Sequence, residues 1–244
     1  MSSSPIDAAL TAGPAADAVA RPARFRGWPL WGALAGVAGF IGTVLTDLRP
    51  EGELAAVEQG ERYTVTAADM VQLDPTLARY GYVAGVVAIV ALLVFQAAWR
   101  RHVETAFTRS TAARAVSGGL IATIAGLILG YGWRGGLANY LGPESDSYDP
   151  NGRFVYYMLT DFGAYMPWLG VVAAAGGLAW MAFVERNVSR VLGAVSALAA
   201  VLTLGAVIVS GVPGLPGGTM PLWLAIAGVW LAVGRSRITR SPLA

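Results

Sequence analysis

Six stretches of the chain are continuously apolar, and polar residues gather between them. The apolar runs fall at 28–46, 81–99, 115–133, 162–184, 191–211 and 219–234, and none contains Asp, Glu, Lys, Arg or His. A helix crossing the ~30 Å hydrocarbon core of a membrane takes ~20 mostly apolar residues. The pattern predicts an all-α, polytopic bundle of six transmembrane helices. The first run follows three arginines, as a secretory signal core does. It is too long for that role, and no small-residue cleavage site follows it before Asp47-Leu48-Arg49-Pro50. It reads as an uncleaved span.

The polar segments give organisation. Residues 1–27, rich in Ala, Pro and Ser, read as a disordered tail, 28–236 as the membrane domain and 237–244 as a second tail. Two longer loops, 48–80 and 135–160, fall on one side. In the first, Thr66 followed by Asp69 has the form of a helix start, and Asp74-Pro75 places an N-cap before a proline at the first helical position. This loop reads as a solvated connector, with an acidic cap over the mouth of the bundle as the sharper alternative. In the second, Asp149-Pro150-Asn151-Gly152 reads as a β-turn. A calcium site fits it poorly, because an EF-hand register would put Met158 at the closing glutamate.

Charge fixes the orientation. Twelve of the 17 arginines lie in the two tails and the loops on one side, and eleven of the fifteen acids lie on the other. One side therefore carries +8 and the other −6, hidden in a net +2. Cytoplasmic segments hold the Arg/Lys excess, so both termini are expected inside, in a bacterial inner membrane. The basic residues are all Arg, a mark of a GC-rich bacterial genome. The overall 55% hydrophobic and 13% charged composition and the mean hydropathy of +0.56 agree with the membrane reading. Nothing in the charge pattern points to nucleic acid.

Composition also bounds the chemistry. With no cysteine and one histidine, the chain lacks thiolate chemistry, cysteine metal sites and paired-histidine haem ligation. No catalytic residue, metal site or cofactor is assigned. The spans hold only scattered Ser, Thr and Gln, which weighs against a proton or cation relay at the midplane. His102, beside Arg100, Arg101 and Glu104, reads as part of a hydrated inner face. Small residues recur at four-residue spacing in Gly118, Ala122, Gly126 and Gly130, in Gly32/Gly36 and in Gly81/Gly85, which predicts close helix packing within the bundle.

Aromatic residues crowd the second outer loop. They form an interfacial belt or the floor of a pocket for an apolar ligand between the third and fourth spans. The pocket reading nominates Arg134, Asp161, Tyr140, Tyr156, Tyr165 and Trp168, with Arg134 and Asp161 paired across the helix hairpin. Membrane lipid is the expected partner, with a membrane protein partner as a further one; the sequence leaves the oligomeric state open.

The layout resembles a family of small bacterial six-span membrane proteins known only as a domain of unknown function. The likeness rests on the polar segment after the first span and on Leu77-Ala78-Arg79-Tyr80-Gly81. It extends to Val188-Ser189-Arg190-Val191-Leu192-Gly193, Pro221-Leu222-Trp223-Leu224 and Gly228-Val229-Trp230-Leu231. It implies topology and carries no activity.

The expected role is a non-enzymatic accessory, scaffold or regulatory component that touches lipid or an apolar ligand at its outer face. One alternative is a small permease without midplane charges. The other is a lipid-modifying enzyme using the outer carboxylates Asp47, Glu144, Asp146, Asp149 and Asp161.

Overall fold

A computed structural model describes residues 27–234 and 236–239. The expected N-terminal tail, apart from Gly27, and residues 240–244 lie outside the described residues. Among the described residues there are eight α-helices and no strand. They are α1 (Leu30–Phe40), α2 (Glu51–Gln59), α3 (Pro75–Trp99), α4 (Thr111–Leu141), α5 (Pro150–Gly163), α6 (Leu169–Phe183), α7 (Arg190–Ser210) and α8 (Leu215–Val233).

Each apolar run of the sequence holds a helix, but the fourth, 162–184, is divided between the end of α5, a 3₁₀ turn at Met166–Trp168 and α6. Five helical units, Pro75–Glu104, Thr111–Leu141, Pro150–Phe183, Arg190–Ser210 and Leu215–Val233, are long and apolar enough to cross a membrane. The apolar helix Leu30–Leu45 is shorter; its last five residues, Ile41–Leu45, are wound as a π-helix. The chain is therefore a multipass helical membrane protein by length and hydropathy.

The long helices close into a ring in which α1 packs on α3, α3 on α4, α4 on α6, α6 on α7, α7 on α8, and α8 back on α1. Small residues set these contacts. Gly119 and Gly170 face each other so closely that a Cβ on either would strike the other's backbone carbonyl, and Gly36 sits on the carbonyl of Pro221 in the same way. Dispersion across such close backbones is a main source of helix association in lipid. The predicted stripe on α4 divides: Gly130 faces the Gly163 carbonyl and Gly126 faces Pro167, whereas Gly118 has open space around it and Ala122 is exposed.

Helix starts follow the residues that can satisfy the free first-turn N–H groups. The Asp74 carboxylate accepts from the Thr76 N–H at 2.7 Å ahead of Pro75. Thr66 and Asp69 form a capping box on a short 3₁₀ turn, Ala67–Gln72. Asp149-Pro150 does the same for α5, with Asp149 Oδ1 accepting from the Gly152 N–H at 2.8 Å. The β-turn expected there is instead the first turn of a helix.

Two further expectations are corrected. The third apolar run does not end at Trp133: α4 continues to Leu141, 31 residues or about 46 Å. Its last turns pair with α5 outside the apolar zone. The 48–80 loop is only in part a solvated connector. Leu48, Met70, Leu73 and Ala78 share a small buried core with Leu137, Ala138 and Tyr157, so the 3₁₀ turn, the start of α3, the end of α4 and α5 form an outer lobe, while α2 and the residues after it are mostly exposed.

At the opposite end His102 is not simply hydrated. Its ring stacks on Trp28 at 5.5 Å, and Trp28 in turn stacks on Phe95 at 5.8 Å. The segment Arg237–Thr239 is a short turn rather than free tail: the Ile238 N–H donates to the Asn187 carbonyl at 3.3 Å, and Ile238 is fully buried.

Candidate functional site

The densest set of charged and hydroxyl groups lies where the outer lobe meets the bundle. It starts with a problem at the end of α1. A helix end leaves backbone carbonyls without intrahelical partners, and such groups are costly away from water. Thr46 Oγ1 lies within hydrogen-bond reach of the Ile41 carbonyl at 2.9 Å, which also accepts from the Thr46 N–H, and of the Gly42 carbonyl at 3.2 Å. Two donors come from α4: Arg134 Nη1 donates to the Gly42 carbonyl at 2.7 Å, and Nη2 donates to the Thr46 carbonyl. One turn earlier on α4, the Tyr131 hydroxyl lies 2.9 Å from Thr43 Oγ1.

These side chains reach α1 because α3 makes way. A Cβ on Gly81 would overlap the Arg134 guanidinium, and one on Gly85 would overlap the Tyr131 ring. The four-residue spacing of Gly81/Gly85, read from sequence as a helix-packing motif, is here a slot for two large polar side chains. Arg134 is left 3% exposed, and its Nε has no hydrogen-bond partner among the described residues.

Directly above, the chain leaving α1 supplies Asp47 and Arg49. Arg49 Nε binds Asp47 Oδ2 at 2.9 Å, Nη1 binds Glu53 Oε1 at 2.5 Å, and Nη2 lies 3.6 Å from Asp161 Oδ1. Burial disfavours the Arg49 cation, but hydrogen bonds and Coulomb attraction from Asp47 and Glu53 outweigh that and hold its pKa above the ordinary value. The Tyr157 hydroxyl donates to the other Glu53 oxygen at 3.3 Å. Thus Arg49 ties the exit of α1, the start of α2 and the end of α5.

The predicted Arg134–Asp161 pair is not formed. Asp161 is taken by Arg49, and Arg134 is directed at backbone carbonyls instead. The charges are the expected ones, but the partners are not, because Arg134 sits on the face of α4 that meets α1 and α3.

The remaining nominated residues separate into different places. Tyr165, half-buried, turns toward Asp47 and packs on Gly217. Tyr140 and Tyr156 lie out on the lobe, where they pack with Tyr148 at centroid distances of 4.2, 5.0 and 6.1 Å. Trp168 is fully buried against Gly39. Arg134, Tyr165 and Asp161 therefore border one network, and Tyr140, Tyr156 and Trp168 do not join it. Sequence reasoning passed over Tyr131, Thr43, Arg49 and Glu53. The available signal was the i, i+3 pair Tyr131/Arg134 on one face of α4, opposite two glycines on α3.

Other outer carboxylates serve local structure. The Asp69 carboxyl accepts from the Thr66 N–H at 2.7 Å and from the Tyr63 hydroxyl at 2.7 Å. These bonds hold it below the usual carboxylate range, and the same contact raises Tyr63. Asp149 is lowered by the Gly152 N–H of the helix it caps. Among the described residues, no group of three or more His, Asp or Glu is placed to hold a metal ion. Comparison with protein-family models, curated proteins and solved structures finds no match to this chain.

Proposed function

We propose that the chain is a six-span protein of the bacterial inner membrane, with both termini cytoplasmic, acting as a non-enzymatic accessory component that holds lipid or another apolar ligand against its outer lobe. The observation that carries this reading is the uncovered face of α5. Val155, Met158, Leu159 and Phe162 recur at helical spacing and are 57%, 52%, 39% and 45% exposed. The opposite face of α5 is buried on α4 and the 3₁₀ turn. An apolar strip of this kind beside the bilayer suits acyl chains or an apolar partner.

The carboxylates favour binding over catalysis. Asp47, Glu53 and Asp161 are each engaged by Arg49, and Asp149 caps α5. The sixth span is α1 with its π-wound extension. Its outward side chains Trp31, Leu34, Val37, Ile41 and Leu45 form an exposed apolar stripe like those of the longer helices. A helix shorter than the hydrocarbon thickness is accommodated by local thinning of the bilayer. The resemblance carried by the short motifs stays a proposal about topology alone.

Native mass spectrometry of protein purified in mild detergent tests the function. A retained lipid or a stoichiometric partner protein, lost on Met158→Ser with Leu159→Ser, is the expected result. A bare monomer, or an adduct unaffected by that double change, overturns it.

A further inference from the structure

At the arginine-rich end of the bundle, α3 runs on past Trp99 into the π-wound turn Arg100–Glu104, and α4 begins at Thr111. Between these two lies an open cleft of about 430 Å³ lined by Arg100, Arg101, Glu104, Thr105, Thr108 and Arg114. That volume falls within the range of small-molecule sites, roughly 300–1,000 Å³. Its charge is one-sided, with three guanidinium groups against one carboxylate.

The single acid does not neutralise them. Arg100 Nε lies 3.7 Å from Glu104 Oε2, with 63% of the Arg100 side chain open to the outside. Arg114 Nη2 donates to the Thr108 carbonyl at 2.8 Å. Among the described residues, neither Arg101 nor Arg114 has a carboxylate at ion-pairing distance. Arg114 also stands in the first turn of α4, which has no acid of its own; the acid at that helix start, Glu185, accepts from the Ser110 hydroxyl at 2.8 Å and does not line the cleft.

What lies beneath the cleft narrows the ligand. One turn into the bundle, Gln96 Nε2 donates to Ser117 Oγ at 3.1 Å and closes the floor between α3 and α4. Beyond it the exposed face of α4 carries Gly118, Ile121, Ala122 and Ala125. At Gly118 nothing stands within 4 Å of the place a Cβ would take. An uncharged apolar face of α4 therefore lies beneath the cleft on the side open to the membrane.

We propose that this cleft binds the phosphate of an anionic phospholipid, its headgroup among Arg100, Arg101 and Arg114 and one acyl chain along the exposed face of α4 at Gly118, Ile121 and Ala122. Guanidinium groups match phosphate oxygens in geometry and charge, and basic pockets between membrane helices on the cytoplasmic side suit such headgroups. A choline headgroup would bring its own cation into a basic cleft. The site is at the opposite end from the α5 strip and does not depend on it; only the naming of the leaflet uses the orientation proposed above.

The test uses the full chain purified in a non-ionic detergent, with the thermal unfolding midpoint followed against three additives. Dioctanoyl phosphatidylglycerol is expected to raise the midpoint saturably. Dioctanoyl phosphatidylcholine and inorganic phosphate at equal concentration are expected to leave it in place. Arg101→Gln and Arg114→Gln should each weaken the apparent affinity on the order of fivefold. Arg190→Gln, an exposed arginine outside the cleft, should not. Arg114→Gln also removes the bond to Thr108; if its ligand-free midpoint falls, Arg101→Gln carries the test alone. An equal response to inorganic phosphate would make this a free-anion site and overturn the lipid assignment. An equal response to phosphatidylcholine would reduce it to acyl contact, and unchanged affinity in Arg101→Gln would place binding elsewhere.

Discussion

Arg134, on the fourth helix of the chain, donates to the backbone carbonyl of Gly42, 92 residues earlier, at 2.7 Å. A buried guanidinium here completes the end of another helix rather than pairing with a carboxylate. Charges at membrane depth pair with one another or with backbone carbonyls, and here the partners are carbonyls.

The consequence is an asymmetry between two substitutions. Arg134→Ala leaves the Thr46 carbonyl without its donor and the Gly42 carbonyl with only the longer bond from Thr46 Oγ1 at 3.2 Å, and should destabilise the protein by about 1–3 kcal/mol. Asp161→Asn removes only a long, partly hydrated contact to Arg49 and should cost about 1 kcal/mol or less. Thermal unfolding in detergent separates them; equal effects would revive the Arg134–Asp161 pairing.

Glycine positions should divide by what surrounds them. Gly85→Ala pushes a methyl group into the Tyr131 ring and should destabilise by about 1–3 kcal/mol, the usual cost of overpacking. Gly118→Ala meets open space and should stabilise α4 by roughly 0.5–1 kcal/mol. Denaturation of the two variants side by side reads the sign directly.

The Asp69 carboxyl has a pH signature. Its pKa is lowered from 3.8 by the Thr66 N–H and the Tyr63 hydroxyl. The stabilisation it brings is therefore fully present above pH 3.8 and fades as pH falls through the lower, folded value. Asp69→Asn should be less stable than the parent at neutral pH, and the two midpoints should converge in acid below pH 3.8. A gap that persisted undiminished would show that the carboxylate charge is not what matters.

Orientation is open to a clean test because the chain has no cysteine of its own. Glu61→Cys, between α2 and the 3₁₀ turn, should react in intact spheroplasts with a thiol reagent that cannot cross the membrane. Arg109→Cys, between α3 and α4, should react only after permeabilisation. The reverse pattern would overturn the proposed topology.

Much of the architecture can be read from local signals. Every apolar run holds a helix, although 162–184 is split between α5 and α6, and Thr66/Asp69 and Asp74-Pro75 mark helix starts as expected, because caps depend on residues close in sequence. Asp149-Pro150 carries the same signal as Asp74-Pro75. Reading it as a turn gave weight to Asn151-Gly152, yet the first turn of a helix and a β-turn share the same local bond. What extends the helix is the burial of Tyr157 and Thr160 on the lobe. Likewise Gly135-Gly136 looks like the end of α4 but is not, since the rings of Tyr82 and Tyr156 fill the space those glycines leave.

Hydropathy along the chain is enough to identify a helical membrane protein and to locate its apolar helices, and the charge pattern is enough to divide Arg from acid between the two sides. Hydropathy and charge act through the solvent, and each residue contributes to them without reference to its neighbours in space. Which charge meets which partner was decided only in the tertiary structure. Arg134 reaches Gly42 and Thr46 because α1 ends beside α4 and α3 offers two glycines between them. Arg49 collects Asp47, Glu53 and Asp161 because three separate segments converge there. Such contacts depend on helix packing over tens of residues, and neither composition nor spacing records that.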